Sequence, residues 1–104
     1  MIYSVTARLV REKRETFYRK LTDGTIEGQE PDGPEIVASM NRARIAEDGS
    51  VRWTETCYCP TPLKHERETV LDHYFSEIET DPAETHAGFD GEPLMDHLAD
   101  AGRF

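Results

Sequence analysis

Cys57-Tyr58-Cys59 is the tightest grouping of reactive side chains in these 104 residues, and metal binding or redox exchange is the first chemistry its thiols suggest. Structural zinc sites separate paired cysteines by about two to four residues and need a second pair of ligands. Here a single residue intervenes, and His65, His73, His86 and His97 supply no compact second half. A disulfide between residues two apart on a strand needs Cα atoms near about 7 Å, the limit of good geometry. The expected role of both cysteines is therefore packing, as buried reduced thiols beneath helices, with no metal and no cofactor.

His65, Glu66 and His73 fall on one face if their segment is helical, since eight residues make a little over two turns. Exposed polar residues of a helix account for that grouping. The acidic residues from Glu77 to Asp100 lack the Asp-x-Asp-x-Asp-Gly spacing of a calcium loop and read as solvated surface. The better site candidate is a set that strand alternation places on one open sheet face: Thr6, Arg8, Asn41, Thr56 and Tyr58. A guanidinium among hydroxyls and an amide could hold a small polar or anionic ligand, with Tyr58 or a histidine as proton donor. The competing account is a wet interface between two copies, whose polar groups satisfy one another.

Those side chains need elements to position them. Tyr3, Val5, Ala7 and Leu9 alternate with Ser4, Thr6 and Arg8, the pattern of a half-buried strand. From Glu12, Lys13, Phe17 and Leu21 recur every fourth residue among charges, predicting a surface helix ended by Asp23-Gly24. A hairpin over Phe17 to Gln29 about the same Asp-Gly competes with it. Thr25 to Pro34 is rich in glycine and proline and reads as a loop, or as a helical extension to about Glu27 followed by a turn. Glu35 to Cys59 then reads as a β-hairpin about Asp48-Gly49 with a loop of two or four residues. Either loop pairs residues whose numbers sum to 97, setting Arg42 opposite Glu55 and Arg44 opposite Trp53. Ile36, Ala38 and Met40 join Val51, Trp53, Glu55 and Cys57 on the face beneath the helices.

Proline stops this strand at Pro60, and Thr61-Pro62 starts a helix with Leu63, Val70, Leu71, Tyr74 and Phe75 as its apolar stripe and Glu66, Glu68 and Asp72 outside. Ser76 to Thr80 predicts a short edge strand stopped by Asp81-Pro82. A loop over 82–91 and a short helix over Glu92 to Ala101 complete the chain. The expected class is α+β: a ferredoxin-like βαββαβ antiparallel sheet over 1–81 with helices on one face, and a C-terminal extension, 82–104, carrying a short helix.

In element order and size, residues 1 to about 81 resemble the dimeric α+β barrel proteins, small ferredoxin-like subunits that pair sheet against sheet. The resemblance implies a homodimer and a ligand pocket. That superfamily includes cofactor-free or haem-using monooxygenases, small isomerase-like enzymes, ligand-binding regulators and many proteins with no known role, and no catalytic motif transfers to this chain by position. The likeness therefore implies a pocket and not a reaction.

Composition narrows the partners. The net charge is −9, with residues 1–44 holding eight basic and seven acidic side chains and residues 45–104 holding four and fourteen. Nucleic acid and anionic membranes need clustered Lys and Arg, so neither is expected. The basic run from Arg8 to Lys20 is interleaved with acid and reads as a solvated helix face. Without a signal peptide or an apolar run near the ~20 residues of a membrane span, the expected location is cytoplasmic. Three functions follow: a small-ligand-binding barrel, an enzyme of the monooxygenase or isomerase kind using the same cleft, or an interaction module docking through its acidic C-terminal extension.

Overall fold

Strand β1 (Ile2–Leu9) runs antiparallel between β3 (Ser50–Thr56) and β4 (Phe75–Ala83). Beyond β3 lie β2 (Arg44–Ile45) and then β5 (Glu92–Pro93), giving a five-stranded antiparallel sheet of order β4-β1-β3-β2-β5. The structure, a computed structural model, describes residues 1–58 and 60–101. Its helices are α1 (Arg14–Thr22), α2 (Gly33–Arg42), α3 (Lys64–Glu66), α4 (Asp72–Tyr74) and α5 (Leu94–Ala101), so the class is α+β. None of them is long and apolar enough to cross a membrane.

Alternation sorts β1 and β3 as expected. Tyr3, Val5, Ala7, Val51 and Trp53 are buried in one core with Phe17, Leu21, Ile36, Met40, Leu71 and Leu98 from the helices. Phe17 stacks on Tyr74 with ring centroids 4.3 Å apart and meets Phe75 edge-on, while Phe75 packs against Trp53. Of the two readings of the chain after Glu12, the helix is the one that forms. Asp23 N–H donates to the Arg19 carbonyl, and Gly24, at φ +88°, ends it. Residues 23–32 form a loop of successive turns, as the glycines and prolines suggested, anchored by the buried side chain of Ile26; the helical extension does not form, and Gly33-Pro34 already belong to α2.

The long hairpin expected over Glu35 to Cys59 is corrected. Residues 33–42 form α2, and only Arg44–Ile45 pair with β3. Ile36, Ala38 and Met40 fit a two-residue period, but Ile36, Ser39 and Met40 fit the helical one equally well, and these are the residues α2 buries. Pro34 in the first turn favours the helix. Register is corrected too. The loop is the three residues Glu47-Asp48-Gly49, with Gly49 at φ +88° and its N–H donating to the Ala46 carbonyl. An odd loop shifts pairing by one, so Arg44 faces Arg52 and Ile45 faces Val51. The expected Arg42–Glu55 and Arg44–Trp53 pairs do not form.

Because β2 stops at two residues, β3 has no neighbouring strand on the side away from β1 at Thr54 and Thr56. Side chains of α2 take that place. Arg42 Nη2 donates to the Thr54 carbonyl (2.9 Å), and Glu35 Oε1 accepts the Thr56 N–H (2.9 Å). The helix is seated by Gly33, where a Cβ would lie 2.6 Å from the Glu27 carbonyl oxygen and closer still to that of Ile26.

Two further corrections concern the second half. Asp81-Pro82 does not stop β4, which continues to Ala83 with Pro82 opposite Tyr3. Proline is tolerated there because β4 is an edge strand with no neighbour for the missing N–H. Glu66, expected outside, is only 1% exposed. It follows Leu63 by three residues and precedes Val70 by four, which puts it on the buried stripe despite its charge. After β4, residues 84–91 cross the sheet face opposite the helices, where His86 bonds Thr54 and Thr56, before β5 pairs with β2. Leu94 and Leu98 of α5 are fully buried in the common core.

Candidate functional site

At the end of β3, beside the start of α2, lies a cavity of about 710 Å³ lined by Pro31, Asp32, Glu35, Thr56, Tyr58 and His65. Its polar walls are held in place before any ligand arrives. Glu35 Oε1 accepts hydrogen bonds from the Thr56 N–H (2.9 Å), Arg42 Nη2 (3.1 Å) and Ser39 Oγ (3.4 Å). Asp32, at the start of α2, pairs through Oδ2 with His65 Nδ1. The positive end of the helix dipole favours both carboxylates at that position.

His65 and Glu66 sit between two backbone irregularities. Leu63 adopts φ +54°, a conformation that costs a bulky L-residue energy, and it is completely buried. Arg67–Leu71 then form a π turn, a feature frequent at functional sites. Together they present residue 65 toward Asp32 and residue 66 toward the interior. Cys57 Sγ–H donates to Glu66 Oε2 at 3.6 Å, and the Glu66 and Asp32 carboxyls are hydrogen-bonded to each other. A continuous chain thus links the cavity-facing imidazole through Asp32 and Glu66 to the buried thiol.

Glu55 lies behind this chain with no exposed surface. Its Oε1 accepts Trp53 Nε1–H at 2.9 Å, while Oε2 has no hydrogen-bond partner among the described residues. Burial pushes its carboxyl up to about 8, with Glu66, Glu35 and Asp32 adding repulsion and the Trp53 hydrogen bond opposing it. Burial also raises Glu66, and the neighbouring Asp32 carboxylate adds to the effect. Such displaced carboxyls beside a cavity mark functional sites more often than ordinary surface. Among the described residues no three His, Cys, Asp or Glu side chains are grouped to hold a metal ion.

The five site residues read from sequence are dispersed. Thr56 and Tyr58 line the cavity. Thr6 pairs with Arg52 in mid-sheet, four residues from the Thr56 level or about 13 Å along the strand. Arg8 lies at the far end, where Nε meets Glu77 Oε2 at 3.2 Å and Nη1 donates to the Asp48 carbonyl at 2.8 Å. Asn41 is on α2 and not on the sheet; its Nδ2 donates to the Val37 carbonyl one turn back. His73 is exposed while Glu66 is buried, so these two do not share a face, and His73 is not among the residues lining the cavity with His65. Cys57 is buried as expected, and Cys59 lies outside the described residues.

The residues that sequence reasoning missed are Asp32, Glu35 and Glu55. Asp32 and His65 are 33 residues apart, and no local pattern joins them. A second hollow, about 600 Å³, opens at the opposite end of the sheet, where Arg11 and Arg14 mix with Glu47 and Glu92 and no buried polar side chain is among the described residues that line it. Compared with family models, with curated proteins and with solved structures, the chain finds no match in any of the three.

Proposed function

We propose that this chain binds a small polar molecule in the cavity beside α2, as one subunit of a homodimer of the dimeric α+β barrel kind. The observation that carries the binding reading is the cavity itself. At about 710 Å³ it has the size of small-molecule sites, and its convergent polar groups, Asp32, Glu35 and His65, are already fixed by hydrogen bonds. The ferredoxin-like βαββαβ reading is supported by the order β4-β1-β3-β2, the order that two interleaved β-α-β units generate, with β5 as an addition. The homodimer is supported by a half-covered sheet face: residues 84–91 lie over β3, and Thr6, Arg8, Glu79 and Asp81 on β1 and β4 remain for a second copy. The anionic ligand class rested on Arg8, whose guanidinium is engaged by Glu77 and Asp48 away from the cavity. A cytoplasmic location is part of this reading, supported by the acidic composition with two cysteines in 104 residues.

The Asp32–His65 pair favours one alternative, proton transfer on the bound molecule, because a carboxylate on one ring nitrogen orients imidazole as a general base. The interaction-module reading has less support, since β5 and α5 place residues 92–101 in this chain's own sheet and core.

A thermal-shift screen of small polar metabolites tests the binding reading. A ligand at 100 times its dissociation constant adds about 2.7 kcal/mol of stability, and His65→Ala should abolish the shift. A screen blank throughout removes it. Sedimentation equilibrium at micromolar concentration decides the dimer, and a mass of 11.9 kDa would rule it out.

A further inference from the structure

Two carboxylates line the cavity: Asp32, paired with His65, and Glu35, paired with Arg42. The guanidinium nearest to them, Arg42, is bound to Glu35 Oε1, Ser39 Oγ and the Thr54 carbonyl, and it lines a different hollow. No Lys or Arg is among the described residues that form the cavity wall. An entering anion would meet two carboxylates with no Lys or Arg among the described wall residues to receive it, whereas an entering cation would meet acceptors already in place.

Tyr58 supplies the second observation. It is 89% exposed, and together with Pro31 it gives the cavity an apolar rim beside the carboxylates. An exposed aromatic face next to acidic groups is the combination that recognises organic cations, the ring attracting positive charge and covering the carbon chain. A volume of about 710 Å³ is far larger than a bare ion needs, and the described side chains are not grouped for metal ligation.

We propose that the ligand of this cavity is a primary alkylammonium, its –NH₃⁺ held by the Asp32 and Glu35 carboxylates and its carbon chain laid against Tyr58 and Pro31. The inference rests on the binding reading above and gives it a ligand class.

Three probes of equal chain length separate charge from shape: n-butylamine, n-butanol and butyrate, each titrated at neutral pH into the isotopically labelled full chain and followed by NMR. The expected result is saturable shifts at Thr56, Tyr58 and His65 with butylamine alone, and none at Thr6. Tyr58→Leu should weaken that binding roughly two- to fivefold while Tyr58→Phe preserves it; the exposure of residue 58 makes both variants safe to fold. Asp32→Asn and Glu35→Gln should each weaken it further. Equal shifts with butanol, or a preference for butyrate, overturn the ammonium class and leave the cavity a binding site. Silence with all three probes also overturns it, and the metabolite screen then decides separately whether the cavity binds anything.

Discussion

Glu55 shows how much a single residue is governed by its surroundings. The fold keeps its carboxyl protonated up to about pH 8, whereas in the unfolded chain the proton leaves near the ordinary 4.5. Between those values the folded state binds one proton more than the unfolded state, so stability falls as pH rises. The contribution is complete below about pH 4.5 and lost above about pH 8. At about 1.4 kcal/mol per unit, the loss across that window is on the order of a few kcal/mol. Urea unfolding over a pH series measures it. Glu55→Gln cannot ionise yet keeps an acceptor for Trp53 Nε1, so this variant should flatten the profile; an unchanged slope would place the titration elsewhere. Glu77 gives a second prediction at this scale. It sits at φ +52° in the bulge of β4, and its ion pair with Arg8 is exposed on both sides. Such pairs contribute about 0–1 kcal/mol, while the left-handed backbone costs an L-residue roughly 1–2 kcal/mol. Glu77→Gly should therefore leave stability unchanged or raise it by up to about 1 kcal/mol, as read from the urea midpoint. A loss beyond that would show the ion pair to be stronger than its exposure implies.

Among the elements, α2 is the one on which the site depends. It carries Glu35 into the cavity wall, starts at Asp32, and completes the hydrogen bonding of β3 through Arg42 and Glu35 where no strand is present. Its approach to the turns at 26–27 is possible only because residue 33 has no Cβ. Gly33→Ala should cost about 1–3 kcal/mol as an overpacking substitution and shift the NMR signals of Thr56 and His65. Gly88→Ala is the matched control, since nothing lies within 4 Å of its added Cβ. It should change stability by less than about 0.5 kcal/mol. Equal effects of the two substitutions would contradict the seating of α2. Edge strand β4 needs no cover, because Glu77, Glu79, Asp81 and Pro82 and the bulge at Glu77 all discourage a further strand from adding. The proposed second copy would therefore add on the sheet face and not on this edge.

At the scale of the whole molecule, residues 84–91 cross the sheet from the β4 edge to the β5 edge. His86 is their anchor, bonded to Thr54 Oγ1 through Nδ1 (2.8 Å) and to Thr56 Oγ1 through Nε2 (3.2 Å). The same crossing relieves a like-charge pair in the sheet. Arg44 and Arg52 stand directly opposite, but Arg44 donates to the Gly91 carbonyl and Arg52 lies over the Phe89 ring at 5.8 Å. Thr54 is 1% exposed, so losing the imidazole leaves its hydroxyl buried without that partner. His86→Ala should cost about 1–3 kcal/mol and speed amide exchange across 84–91 while leaving α1 protected. Exchange that rises equally everywhere would show that this segment is not a separable cover. Because Thr56 belongs both to this crossing and to the cavity wall, the same variant should move cavity signals too.

What the sequence determined by itself was local. The alternation of Tyr3, Val5 and Ala7 and of Val51, Trp53 and Glu55 set which sheet face is buried, and the four-residue recurrence of Phe17 and Leu21 set α1, because both periods are properties of a single element. Burial of Cys57 was legible for the same reason. Where two periods fit one run, as at Ile36 to Met40, the choice fell to packing: a helix there buries Ile36, Ser39 and Met40 and can supply Glu35 and Arg42 to β3. The register turned on whether the loop about Asp48-Gly49 held an odd or even number of residues, which composition does not fix. Only the tertiary structure brought Asp32 to His65 and Glu66 to Cys57, and set Glu55 behind them. Carboxylates look like solvent-facing residues in a sequence, because the polar partners and the cavity that make their burial tolerable come from segments far apart in the chain.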